Sequence, residues 1–338
     1  MDTQLLVVGW DAATRSHLDS MELEFFDDLD HGGRLLPEPY WQSREVDSGT
    51  AWTTLTTGLP MREHGVATLG GMIENERAFE WFSKVDRLIP RNLSRRPARI
   101  WARSKVLGRQ PTNEDIPYKR AWHYVPDSLA FAVPLTYPPK PTSGVTVSGF
   151  PSPEVTVEPP SLQERVRERY DGEPSKFDAD GELRDEYVED LFETHEAERD
   201  LVLDLADDRE FSLHFVVFTL LDRLLHVTDD RETIERAYRT IDETTRTLVD
   251  AIDPDDTMIL SDHGMKHDPR GKWIHVHDET SGIWAGTRDW GLDTHLDVTP
   301  TIVDYCGRSM DDPAYEPPGE TVEKADMEAK LRDLGYLS

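Results

Sequence analysis

The sequence predicts an α/β protein with a mostly parallel central sheet and helices on both faces. Three observations carry this. Apolar runs at Leu5 to Gly9, Phe215 to Leu221 and Thr257 to Leu260 have the uninterrupted character of strands buried on both faces. Each run leads into an aspartate, in Gly9-Trp10-Asp11, at Asp222 and in Ser261-Asp262-His263-Gly264. Long stretches of helical periodicity alternate with the runs, as parallel strands require of their crossovers.

The first strand is Leu5 to Gly9. A helix is expected within 182–208, with Leu183, Val188, Leu191 and Phe192 at helical spacing. A second is expected from Asp230 to Ile252, where Ile234, Ala237, Tyr238, Ile241 and Leu248 share one face. Residues 84 to 120 hold Arg87, Arg91, Arg95, Arg96, Arg99, Arg103, Arg109 and Arg120, and 134–160 is proline-rich. This middle region is expected to form loops and short strands lying over the core and the site. The arginines from Arg87 to Arg109 are expected in surface ion pairs, with an anion clamp as the alternative. Tyr137-Pro138-Pro139 either shapes a pocket or packs as a rigid loop. The last residues, ADMEAKLRDLGYLS, read as a helix capped by Gly335, with Tyr336 and Leu337 packing back. The whole chain, 1–338, is expected to be a single catalytic domain.

Composition removes several function classes. The chain has 338 residues and a formal charge of −30, and only nine of its 37 basic residues are lysine. No cationic excess exists to neutralise a nucleic acid duplex. Acidic, lysine-poor chains suit molar salt, where the Debye length is about 3 Å and self-repulsion is screened, so a halophilic setting is expected. The lone Cys306 allows no internal disulfide. The N-terminal apolar run is too short to be a signal peptide or to span a membrane, and no later run is long enough, which leads us to expect a cytoplasmic protein with no membrane partner.

In parallel sheets ligands bind beyond the carboxyl ends of the strands. The predicted strand ends bring together Asp11, the pair Asp222 and His226 in D-x-x-x-H, and Asp262 with His263. His275 and His277 follow in WIHVHDETSG. Mixed carboxylate and imidazole donors suit zinc or a similar divalent ion. Three carboxylates and three histidines suffice for two ions. Each piece alone is weak, because an aspartate after a strand is usually a cap or turn residue.

The stretch EVDSGTAWTTLTTGLPMREHG crowds hydroxyl side chains into one short predicted helix, Thr50 to Thr57, ended by Gly58. Asp47 or Ser48 is its expected N-cap. Capping needs one hydroxyl. A second role for such an alcohol is as a nucleophile ionised by a neighbouring divalent ion.

LLVVGWDAAT, SGTAWTTLTTGLPMREHGV, PLTYPPKPTSGVTVSGFPSPE, FTLLDRLLH and MILSDHGM occur in this order. Together they resemble the type I phosphodiesterase/nucleotide pyrophosphatase family of the alkaline phosphatase superfamily, and more narrowly its prokaryotic phosphohydrolase/phosphomutase group. The resemblance runs from Leu5 to about Ile302. It implies an alkaline-phosphatase-like sandwich and two divalent ions, zinc first and manganese as the alternative. One ion would be held by Asp11, Ser48, Asp262 and His263, the other by Asp222, His226 and a later histidine. The resemblance places the nucleophile at Ser48, with Thr50 second. The later histidine is His277 ahead of His275, because Gly282-Ile283-Trp284 fits the strand that follows it in the family, and His295 comes third. His64 matches a structural position. The Cys/Ser-x-Pro-x-Arg motif of sulfatases is absent at the nucleophile.

The implied activity is hydrolysis of a small phosphate ester, as a phosphodiesterase or pyrophosphatase working through a phosphoseryl intermediate. A phosphomonoesterase or phosphomutase on the same site is the alternative. A metal-stabilised binding module without turnover is the alternative from another class.

Overall fold

In the computed structural model, which describes residues 3–37, 47–73, 77, 108–267, 274–278 and 282–315, the first apolar run forms strand β1, Leu5–Trp10. The other strands are β2 His31–Arg34, β3 Val66–Thr68, β4 Gly71–Met72, β5 Ser128–Val133, β6 Val145–Ser148 and β7 Val157–Glu158. They continue with β8 Leu213–Phe218, β9 Asp256–Leu260, β10 Gly264–His267, β11 His275–Asp278 and β12 Ile283–Gly286. The helices are α1 Arg15–Leu18, α2 Ser48–Thr57, α3 Met61–His64, α4 Ala121–Tyr124 and α5 Gln163–Arg167, then α6 Tyr187–Ala206, α7 Leu220–Leu225, α8 Arg231–Ile252 and α9 Val298–Tyr305.

Eight strands form one sheet in the order β2-β12-β9-β1-β8-β5-β6-β7. The centre, β9-β1-β8-β5-β6, is parallel, and β12, β2 and β7 add antiparallel edges. Alternate residues of β1 serve two cores. Leu6 and Val8 join Leu191, Leu201, Tyr238 and Ile241 of α6 and α8, while Leu5 and Val7 join Trp52 and Leu55 of α2 and Val298 and Ile302 of α9. A strand buried on both faces has no polar side, which is why its sequence shows no alternation. Truncating one such leucine to alanine removes about 2–5 kcal/mol.

Several expectations change. The run Phe215 to Leu221 is not one strand: β8 ends at Phe218 and Leu220–Leu221 open α7. Both elements are buried, so the apolar run crosses the boundary unmarked. The proline-rich stretch is not confined to a cover, because β6 lies within it and extends the central sheet itself. Leu183 lies ahead of α6 and is 43% exposed, so it is not part of that helix's buried face. Leu135 and Phe150 pack with Ile116, Val66 and Leu69, which makes the segment around Tyr137 part of a small third core.

Arg109 pairs with Asp115 at the surface, as expected. Arg120 does not. It is buried, and it donates to Thr56 Oγ1 and the Leu135 carbonyl, each at 2.7 Å. Arg87, Arg91, Arg95, Arg96, Arg99 and Arg103, and the expected terminal helix with Gly335, Tyr336 and Leu337, lie outside the described residues. Among the described residues, no helix is long and apolar enough to cross a membrane.

Candidate active site

Helix α2 starts two residues earlier than its sequence pattern indicated, at Ser48, with Asp47 as N-cap. Asp47 Oδ1 accepts the Gly49 N–H at 3.0 Å and the Leu69 N–H at 2.6 Å. A carboxylate therefore already occupies the positive end of this helix and ties it to the turn after β3. Gly58 closes the helix in the left-handed region, φ 66°, where a residue without Cβ is unstrained.

The hydroxyls of α2 divide cleanly. Thr53, Thr56 and Thr57 donate to the carbonyls of Gly49, Trp52 and Thr53 one turn back, at 2.6–2.7 Å. Thr54 pairs with His64 Nε2 at 3.0 Å, and His64 Nδ1 accepts the Val66 N–H, so His64 is a packing and hydrogen-bonding residue. Thr50 donates to the Val66 carbonyl at 3.2 Å. Ser48 alone of these reaches the ligand-type residues, with its Oγ 3.0 Å from His263 Nε2.

The acids and imidazoles gather at the carboxyl edge of β1, β8 and β9. Asp11 directly follows β1, and its N–H continues the ladder to the Phe218 carbonyl. Asp262 and His263 form the turn between β9 and β10. Asp222 lies in the first turn of α7 and His226 at its C-cap, so i,i+4 spacing puts both on one helix face. His277 comes from β11, paired across the hairpin with Met265.

Two sets result, Asp11-Asp262-His263 and Asp222-His226-His277, each offering one ligand atom per residue within 4.8 Å of the others. In the first, His263 Nε2 lies 3.4 Å from Asp262 Oδ2 and 3.7 Å from Asp11 Oδ1. In the second, Asp222 Oδ1 lies 3.5 Å from His226 Nε2 and 3.4 Å from His277 Nε2, and the two imidazole nitrogens are 3.3 Å apart. His263 Nδ1 faces the Gly264 carbonyl at 3.1 Å and His226 Nδ1 the His275 carbonyl at 3.2 Å. Donation there leaves each Nε2 lone pair directed at its set, the arrangement of a metal-ligating histidine.

Electrostatics supply the test of fit for a cation. Asp11 Oδ1 and both Asp262 carboxylate oxygens are buried and accept no hydrogen bond of good geometry among the described residues. Burial, reinforced by the Asp222 charge, raises Asp11 to about 7. Burial and the charges of Asp11 and Asp222 push Asp262 well above the carboxylate range. Burial also acts to raise Asp222, but the imidazoles of His226 and His277 outweigh it and hold that carboxyl well below its usual value. Burial and His277 keep His263 neutral, the form that can ligate. Converging buried carboxylates that the chain does not neutralise, with neutral imidazoles beside them, fit divalent ions.

The remaining histidines stay out of both sets. His275 Nδ1 bonds the Leu225 carbonyl at 2.8 Å and its ring stacks on His267 at 4.6 Å. His295 is buried beside the Asp262 main chain. Three neighbours escaped the sequence reading. Arg223, next to Asp222, is buried, pairs with Glu173 at 3.0 Å and lies over the Phe150 ring. Lys176 is buried and lowered to about 8, mainly by burial, although the Asp222 charge acts to raise it. Trp52 donates its indole N–H to Asp11 Oδ2 at 3.0 Å. No spacing rule marks Lys176 or Trp52, since one sits in an irregular loop and the other looks like any core aromatic.

The sequence pattern of the type I phosphodiesterase/nucleotide pyrophosphatase family matches residues 5–313. Among solved structures, the chain is similar to murine ectonucleotide pyrophosphatase/phosphodiesterase 5 at 11% identity and a TM-score of 0.49, over 94% of this chain and 98% of that one. It is similar to a phosphonate monoester hydrolase from Silicibacter pomeroyi at 13% identity and 0.46, over 95% and 78%. Alkaline phosphatase from the Antarctic bacterium TAB5 aligns at 9% identity and 0.44, over 90% and 98%. No curated protein matches the sequence.

Proposed function

This chain belongs to the type I phosphodiesterase/nucleotide pyrophosphatase family of phosphoester hydrolases, in an alkaline-phosphatase-like α/β fold, and from that premise we propose that it cleaves small phosphodiesters or pyrophosphates with Ser48 as nucleophile. Asp11, Asp262 and His263, with Ser48, would hold one divalent ion, and Asp222, His226 and His277 the other. Zinc suits this donor set best, with manganese as the alternative. Such ions supply Lewis acidity, easing ionisation of a hydroxyl and neutralising charge on a transferring phosphoryl group.

The chain's own residues do the rest. Helix α2 aims Ser48 Oγ into the site, and its other hydroxyls are committed elsewhere. Ser48 Oγ bonds to phosphorus as the P–O bond to the leaving group breaks, and the leaving alcohol or phosphate takes up a proton. Water then cleaves the phosphoseryl ester, giving phosphate or a monoester and restoring the serine. In-line displacement of this kind depends on positioning and charge stabilisation. We read the chain as one catalytic unit. The acidic, lysine-poor composition suits a cytoplasm of high salt.

The observation that carries this reading is the 3.0 Å approach of Ser48 Oγ to His263 Nε2. Bis-p-nitrophenyl phosphate and the corresponding monoester, assayed side by side, test it. The diester is expected to be the better substrate, and acid-quenched turnover of it is expected to leave a p-nitrophenyl phosphoryl group on Ser48. Faster turnover of the monoester would overturn the diester assignment, and label on another residue would overturn the nucleophile.

A further inference from the structure

Within the two-ion reading just given, we infer that Trp52 is a positioning residue: it holds Asp11 as a one-oxygen ligand and fixes where Ser48 stands. Ser48 and Trp52 are four residues apart on α2 and so lie on one face, a turn apart. Ser48 Oγ reaches His263 Nε2, and Trp52 Nε1 reaches Asp11 Oδ2, both at 3.0 Å. One helix face therefore touches two members of the first set at once. Because the indole occupies Oδ2, the carboxylate cannot rotate freely. Its other oxygen, Oδ1, faces His263 Nε2 at 3.7 Å and accepts no hydrogen bond among the described residues, so it is the atom left for a cation.

The strand is shaped to admit this contact. Gly9, on β1, and Asp11, which directly follows the strand, both meet the Trp52 indole. A Cβ at Gly9 would lie 2.5 Å from Trp52 Cη2 and 2.9 Å from a Val217 methyl. The missing side chain lets the indole lie against the strand and still reach the carboxylate. Trp52 is fully buried and meets Phe215 edge to face at 6.5 Å, which restricts its movement. Packing alone would be served by Phe; the N–H of Trp is what Asp11 uses.

The test measures zinc affinity by competition with a chromogenic chelator, on the full chain as wild type, Trp52→Phe and Gly9→Ala. Trp52→Phe removes the donor, and Gly9→Ala keeps the indole but displaces it. Each is expected to weaken one of two zinc sites by about 10–100-fold, the usual effect of losing an outer hydrogen-bond partner, and to leave the other unchanged. In an Asp11→Asn background, Trp52→Phe is expected to add nothing, because the residue acts through Asp11. Equal weakening of both sites, unchanged affinities, or full additivity with Asp11→Asn would overturn the inference. If Trp52→Phe does not fold by circular dichroism, Gly9→Ala decides. Wild-type protein that binds fewer than two zinc ions would instead refute the two-ion reading, which separates that failure from this one.

Discussion

The imidazole rings of His263 and His277 stack with centroids 3.8 Å apart and planes 17° from parallel. One belongs to each ligand set, so the two sets share a wall. His263 arrives from the turn after β9 and His277 from the far strand of the β10-β11 hairpin. Strand β11, paired antiparallel with β10, carries His277 to the His263 ring, so the second set abuts the first.

Ser48→Ala is expected to lower turnover by at least about 10³-fold while the protein stays folded, since removing a covalent nucleophile costs more than removing a contact. Thr50→Ala is expected to keep activity within about threefold and to cost about 1 kcal/mol of stability, from its bond to Val66. Steady-state kinetics and urea melts on both variants check this. A dead Thr50→Ala beside an active Ser48→Ala would reverse the assignment.

His277→Ala and His275→Ala separate the two nearest histidines. His277→Ala is expected to lose one bound ion and most activity. His275→Ala is expected to keep both ions and lose about 1–2 kcal/mol, as its bond to Leu225 disappears. Metal content after gel filtration is the readout, and equal loss from both would count against the pair of sets as drawn.

Buried neutral histidines predict acid sensitivity. Burial, with Arg199 adding to it, lowers His195 from 6.5 to about 3, and its Nε2 lies 2.8 Å from Thr244 Oγ1. Well above pH 6.5 the ring is neutral in both states and contributes no pH dependence. Below that value the unfolded chain takes up a proton that the folded ring refuses, so stability falls as pH drops toward about 3. His195→Gln is expected to reduce the slope of unfolding free energy against pH by about 1.4 kcal/mol per unit between about pH 6 and about pH 4. Urea melts across that range measure it, and an unchanged slope would refute it.

The charge of −30 predicts salt-dependent folding. The melting temperature is expected to rise steadily from about 0.1 M to about 2 M KCl as screening relieves self-repulsion. Differential scanning calorimetry checks it, and a highest melting temperature in dilute buffer would contradict it.

Much of this site could be read in the chain because its chemistry demands particular side chains at strand ends. Asp11, Asp262 and His263 stand where apolar runs stop. Asp222 was legible as a ligand type, although its place on a helix was hidden by the unbroken run from β8 into α7. Strand β5 went unread: its six residues sit in a proline-flanked segment with no long periodic pattern. Arg120 resembled the other arginines nearby until its partners proved to be a hydroxyl and a carbonyl inside the fold. The role inferred for Trp52 depends on which carboxylate oxygen an indole meets, and no linear pattern encodes that.

The most direct test is a crystal structure of the full chain soaked with zinc and orthovanadate. The account predicts two ions about 4 Å apart, one in each ligand set, with vanadium within bonding distance of Ser48 Oγ. Vanadate bound away from Ser48, or Asp11, Asp222 and Asp262 converging on no ion, would contradict it.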